Sequence, residues 1–87
     1  MTKIKRTGKF YVYILKCRDN SFYTGYTNDL SARLERHNQG LASKYTRSKL
    51  PVVIVWKKAY KSKGAAMSAE AKIKQLTRAQ KVKLIYA

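Results

Sequence analysis

Acidic side chains are almost missing from this chain: Asp19, Asp29, Glu35 and Glu70 are the only 4, set against 20 Lys plus Arg, for a formal charge of +16. That shortage leaves metal-assisted chemistry few possible ligands, so one metal rather than two is expected. Cysteine is equally scarce. Cys17 stands alone, which rules out an intramolecular disulfide, and no second thiol or His lies at zinc spacing around it, so a buried structural thiol is its expected role. Long apolar runs are absent too. The basic start Met1-Thr2-Lys3-Ile4-Lys5-Arg6 looks like the head of a signal peptide, yet the apolar run from Phe10 stops at Lys16 after 6 residues, too short for a signal core or a membrane span. A strand is the expected reading of that run, and a cytoplasmic location the expectation for the chain.

What is abundant is positive charge. An excess of +16 on 87 residues exceeds what solubility requires and repels itself in the compact state unless a polyanion neutralises it. Nucleic acid is the partner this favours. An acidic membrane surface would want a basic amphipathic helix with a broad apolar face, and no segment has that pattern, so no membrane partner is expected. At 87 residues and 10.0 kDa the chain has material for a single domain over 1–87, with its core at about 9–85, and suits a two-layer α+β unit.

Residues 10–16 are aromatic and β-branched at both parities, the pattern of a strand covered on both faces. Arg18-Asp19-Asn20-Ser21 is a turn. Residues 21–26 resume strand character, with Gly25 marking a bulge or a close approach by another backbone or a ligand. Thr27-Asn28-Asp29 supplies N-cap residues for a helix reaching about Gln39 and stopped by Gly40. In it Leu30, Leu34 and His37 form an inward stripe that takes in Arg33, while Glu35 points to water. Residues 41–51 read as a polar loop closed by Pro51, and 52–56 as a third strand. Ser62 caps a helix through Leu76, and Thr77 with Gln80 forms a capping-box pattern for a last helix ending near Ile85. The expected fold is α+β: a small, mainly antiparallel three-stranded sheet flanked by three helices.

Residues with chemistry stand at fixed spacings along these elements. Tyr13 closes Tyr11-Val12-Tyr13, Tyr23 opens Tyr23-Thr24-Gly25 10 residues later, Arg33 follows after another 10, and Glu70 after a further 37. The set resembles the GIY-YIG nuclease superfamily, which carries its two tripeptides on hairpin strands, its Arg on the next helix and its Glu on a later one. The first tripeptide lacks the Gly and Ile of that name but keeps Tyr13. In form the chain is similar to the short stand-alone members that resemble the N-terminal nuclease domain of the UvrC repair endonuclease, including the Lys44-Tyr45-Thr46 loop. The resemblance implies an endonuclease, acting on nucleic acid with DNA the expected form, that leaves a 5′ phosphate and uses Mg²⁺ or Mn²⁺. It also implies a site role for His37 and, as a partner, a larger repair or recombination assembly. Many members have an Asn after the Glu, whereas this chain has Val82 there and no Asn after Asn38; Lys81 is the candidate for its task.

The side chains support the same chemistry without the name. Cutting a phosphodiester needs a water deprotonated in line, charge neutralised on the phosphoryl oxygens and a stabilised leaving oxygen. Tyr13 or Tyr23 is the candidate base, on the expectation that a site crowded with Arg and Lys favours the phenolate. Arg33 can donate two hydrogen bonds to phosphoryl oxygens, and Glu70 can hold the single metal. Lys44, Tyr45, Arg47 and Lys49 of the polar loop, with Lys81, are the expected backbone contacts of the nucleic acid. Each residue has a plainer use as well: strand tyrosines pack, Arg33 can pair with Asp29, and Glu70 can pair with Lys74 one turn on. The alternative function is a module of the same fold that binds nucleic acid with little or no turnover.

Overall fold

Side chains at the helix starts decide where the chain leaves extended structure. In the computed structural model, which describes residues 9–87, Asp29 accepts the Ala32 backbone N–H at 3.1 Å and opens α1 (Leu30–Asn38). Ser62 accepts Ala65 N–H and opens α3 (Lys63–Lys74), and Thr77 with Gln80 closes a reciprocal capping box at α4 (Arg78–Ile85). Each cap satisfies a backbone donor that the helix itself cannot. Gly40, at φ +78°, ends the first of these helices in the left-handed conformation that favours glycine. The basic segment Met1–Arg6 lies outside the described residues.

Three strands, β1 (Phe10–Lys16), β2 (Phe22–Thr27) and β3 (Val53–Tyr60), form one antiparallel sheet in the order β2-β1-β3. The turn from β1 to β2 places Asn20 at φ 70°, a conformation Asn tolerates better than most residues. Its register sets Tyr13 opposite Gly25 and Leu15 opposite Tyr23. On the other side of β1 the pairing slips between Ile14 and Leu15, whose partners are Trp56 and Ile54. Val55 is therefore bulged out of the ladder, so the bulge lies in β3 rather than at Gly25.

Alternation along β1 feeds two cores. Val12 and Ile14 pack with Ala66 and Ile73 of α3 and with Leu84 and Ile85 of α4. Tyr13, Leu15 and Cys17 pack with Leu30 and Leu34 of α1 and with Val52. Helices thus cover both faces, and the unit has three layers instead of the two expected from its length; every residue from Val12 to Leu15 is buried. A further departure falls in the expected polar loop, where Lys44–Arg47 form a one-turn helix, α2, capped by Ser43. The third strand also runs past Trp56 to Tyr60. Asn38, at the end of α1, accepts the Val52 N–H at 2.8 Å and donates to the Val52 carbonyl at 3.1 Å, tying that helix to the entrance of β3. Cys17 is a buried free thiol, as expected. Among the described residues no helix is long and apolar enough to cross a membrane.

The central strand carries most of the packing, which gives a stability test. Ile14→Ala, at a fully buried position shared by α3 and α4, is expected to cost about 2–5 kcal/mol. Leu41→Ala, at a side chain 60% exposed, should change stability by less than about 0.5 kcal/mol. Urea unfolding of both variants, with the slope compared as well as the midpoint, checks the pair.

Candidate active site

Tyr13 lies in the middle strand, and its ring leans across to the neighbouring strand β2, with the hydroxyl end over Gly25. A Cβ at position 25 would stand 2.6 Å from Tyr13 Oη and 2.8 Å from Cζ, closer than real contacts allow. The glycine of Tyr23-Thr24-Gly25 is thus the opening through which the phenol passes, and the approaching group is a side chain rather than a backbone or ligand. At the far end Tyr13 Oη meets His37 Nε2 at 3.1 Å, a buried hydrogen bond. The other ring nitrogen of His37, Nδ1, lies 3.0 Å from Thr46 Oγ1. His37 is 1% exposed and Thr46 0%. Three elements, β1, α1 and α2, therefore meet in a single buried chain of polar groups.

Aromatic contacts continue that chain to the surface. The His37 ring stands edge-on to Tyr13 at 6.0 Å and to Tyr23 at 5.3 Å. Tyr23 in turn stacks on Tyr45 at 6.0 Å with 25° between the planes. Lys49 caps the series with Nζ 4.3 Å from the Tyr45 ring centre, a cation over a ring face. The α2 turn thus presents exposed Lys44, Tyr45 and Arg47 beside the site. Lys81 is placed elsewhere, half-buried on α4, a helix that packs along β3; the ring and hydrogen-bond contacts around Tyr13 are made by other residues.

Arg33 and Glu70 complete the cluster from opposite sides of the sheet. Both act electrostatically on the Tyr13 phenol, as does Tyr23. Asp29 is engaged at its helix cap, and the ion pair found among the described residues is Lys74–Glu70, so Arg33 is not spent on Asp29. Arg33 also lines an open cleft of about 370 Å³ with Phe10, Tyr26, Thr27, Asn28 and Lys63. Glu70, its side chain 18% exposed, accepts from Lys74 at 3.2 Å, so the plain one-turn pairing and the inward placement hold together. Among the described residues no three His, Cys, Asp or Glu side chains gather at a metal-binding distance. The donor set is one carboxylate, which fits a hard divalent cation completed by water and substrate phosphate oxygens and does not fit a closed protein cage.

Electrostatics correct one expectation. Burial pushes the Tyr13 phenol well above the usual tyrosine range, Tyr23 and Glu70 push the same way, and Arg33 alone opposes them. Tyr13 is therefore protonated near neutral pH and is no standing phenolate, despite the net charge of +16. His37 moves the other way: burial, then the Arg33 charge, hold its imidazole below the ordinary 6.5. A neutral ring beside a protonated phenol is a proton acceptor beside a donor. Thr46 and Lys63 are the residues that sequence reasoning left without a role. The first was visible only as part of a loop tripeptide, and the second as an ordinary lysine in the first turn of a helix.

Comparison with known proteins gives the family and the fold. The GIY-YIG catalytic domain matches residues 9–83. A UPF0213 protein of Staphylococcus haemolyticus is 51% identical over 77 residues, covering 88% of this chain and 94% of its own. A UPF0213 protein of Streptococcus sanguinis is also 51% identical over 77 residues, with 88% of each chain covered. The solution NMR structure of a UPF0213 protein from Bacillus halodurans superposes with a TM-score of 0.59 at 44% identity, covering 90% of this chain and 83% of that one. A second NMR structure, of a protein from E. faecalis, gives 0.64 at 38% identity over 95% and 88% of the two chains. On this match of sequence and fold, the chain belongs to the GIY-YIG family, whose domain is characteristic of endonucleases.

Proposed function

We propose that the protein is a divalent-metal-dependent endonuclease that hydrolyses nucleic-acid phosphodiesters, with DNA the expected substrate, and leaves a 5′ phosphate. The observation that carries this reading is the convergence on one sheet edge of a Tyr13–His37 hydrogen bond at 3.1 Å with Tyr23, Arg33 and Glu70 around it. Glu70 would hold one Mg²⁺ or Mn²⁺, which supplies charge neutralisation at the phosphoryl group and the leaving oxygen. The +16 charge and the exposed Lys44, Tyr45 and Arg47, with Lys49 beside them, support binding along a phosphate backbone.

The proton path follows from the two displaced ionisations. A water positioned at the Tyr13 hydroxyl gives its proton to Oη while the phenolic proton passes to His37 Nε2. The base is thus the tyrosine–histidine pair, and neither member has to carry charge before the reaction. The water oxygen forms a bond to phosphorus as the bond from phosphorus to the 3′ oxygen breaks. Arg33 donates to the phosphoryl oxygens, where negative charge accumulates. The departing oxygen takes a proton from solvent, and the imidazolium returns to neutral by releasing one. Tyr23, edge-on to His37, orients the phosphate with its hydroxyl.

Glu70→Gln keeps size and helix propensity but removes the only carboxylate of the cluster. Metal-dependent cleavage of labelled DNA should fall by at least about 10²-fold, since the charge stabilisation supplied through a bound ion amounts to several kcal/mol. Equilibrium binding to the same DNA should hold or tighten. Wild-type cleavage rates in this variant would exclude Glu70 as the metal ligand.

Tyr13→Phe leaves the ring in place over Gly25 and removes only the proton path, so cleavage should drop by about 10²–10⁴-fold. Thermal denaturation would expose a structural effect separately, because His37 Nε2 loses its partner. The pH profile gives a further check. As pH falls, His37 gains a proton and stops accepting one, so the acid limb of kcat/KM should lie below the ordinary histidine value near 6.5. Stability has the same sign: the unfolded chain takes up that proton first, so stability is full above about 6.5 and declines as pH falls through the lowered folded value.

A further inference from the structure

We propose that Thr46 is a positioning residue, which fixes the tautomer of His37 so that Nε2 is the free lone pair facing Tyr13. The inference rests on the proposed base pair and adds to it a residue that makes no contact with substrate. Its basis is proton counting. A threonine hydroxyl has one proton to give and two lone pairs to offer. Thr46 Oγ1 donates to the Ser43 carbonyl at 3.4 Å, an acceptor that can only receive. We assign the 3.0 Å contact to His37 Nδ1 as one in which Nδ1–H donates to the hydroxyl, the arrangement that leaves the Thr46 proton for the Ser43 carbonyl. The proton on Nδ1 leaves Nε2 bare, and the Tyr13 hydroxyl, 3.1 Å away, donates to it. The opposite tautomer would put a proton on Nε2, turn it toward the phenol oxygen as a donor and abolish its ability to accept.

The surroundings suit this assignment. The groups facing His37 are Tyr13 from β1, Tyr23 from β2, Arg33 from its own helix and Thr46 from α2. Arg33 is the charged one, and with burial it keeps the ring neutral, so tautomer identity and not ionisation sets which nitrogen can accept near neutral pH. Thr46 is 0% exposed, inside the layer between α2 and His37. The Ser43 cap fixes the turn that carries it. The local rule resembles that of ligating histidines, where a partner on one ring nitrogen sets the chemistry of the other.

The chain has a single histidine, so its ring nitrogens can be read without ambiguity by ¹⁵N NMR of the 10.0 kDa protein. Wild type, Thr46→Val and Thr46→Ser are compared in ring ¹⁵N shifts near neutral pH and in cleavage of labelled DNA with Mg²⁺ or Mn²⁺. Wild type should show the Nδ1–H tautomer. Thr46→Val, equal in shape but without the hydroxyl, should shift toward Nε2–H and lose at least about tenfold in kcat at unchanged KM, a part of what a positioned base contributes. Thr46→Ser should restore both. The proposal is overturned if wild type is already Nε2–H, if Thr46→Val shifts the tautomer yet turns over at the wild-type rate, or if Val and Ser lose activity equally. Should Thr46→Val fail to fold, the wild-type tautomer and the serine variant decide the matter. If wild type cuts no nucleic acid, the nuclease reading falls, while the NMR comparison still judges the Thr46–His37 assignment on its own.

Discussion

The position of the Tyr13 hydroxyl depends on a side chain that is not there. Tyr13 sits in the central strand with β2 between it and the sheet edge, and only a glycine at 25, its cross-strand partner, lets the ring pass. A hairpin slipped by one residue would turn Tyr13 to the other face and set a side chain in its path. Register, and hence the turn at Arg18–Ser21 with Asn20 at positive φ, is therefore part of the site. The same approach links the two tripeptides of this chain: one brings the phenol, and the other the opening it needs. With Tyr13 Oη over Gly25, α1 has only to bring His37 against it, and the Asn38 bonds to Val52 hold that helix end in place.

Net charge and local charge do different work in this molecule. A chain at +16 creates a field that gathers polyanions, but between exposed charges that field is screened over about 8–10 Å at ordinary salt. Inside the cluster, loss of water contact dominates. Burial raises the Tyr13 phenol more than Arg33 lowers it, and Glu70 adds to the rise. The basic composition thus bears on gathering polyanions, whereas the ionisation of Tyr13 is set by its burial and by a few neighbouring groups. For that reason a phenolate could not be inferred from counting lysines and arginines.

Much of the fold was legible because its signals are local. The caps at Asp29, Ser62 and Thr77, the glycine stop at 40 and the double-sided strand 10–16 each depend on residues a few positions apart. The helix α2 was not legible: four residues make one turn and have no periodicity to show, and its stability comes from Thr46 burying against a histidine nine positions away. The extension of β3 to Tyr60 was hidden by Lys57 and Lys58, exposed residues tolerable on an edge strand. Two cores instead of one follow from β1 alternation combined with helices on both faces. The alternation can be read, but the side each helix takes is a tertiary fact. At the site, the spacing of Tyr13, Tyr23, Arg33 and Glu70 could be read, whereas the direction of the Tyr13 ionisation and the partner on His37 Nδ1 required burial and distance.

The placement of Glu70 adds a constraint of its own. It is carried by α3, which packs on the Val12–Ile14 face of the sheet, while Arg33 and His37 come from α1 on the Tyr13–Leu15 face. The proposed metal ligand and the proposed proton-transfer pair therefore hang on different cores, although Glu70 still acts on the Tyr13 phenol. β2 is the edge strand beside Tyr13. There the aromatic series from His37 through Tyr23 to Tyr45 and Lys49 leads outward on one side, and the Arg33 and Lys63 cleft opens beside it. Because no single helix carries the whole set, small shifts of α3 relative to α1 would separate the carboxylate from the tyrosine–histidine pair without unfolding either. The sheet between them is what fixes the spacing, and the fully buried residues of β1 are what keep the sheet rigid.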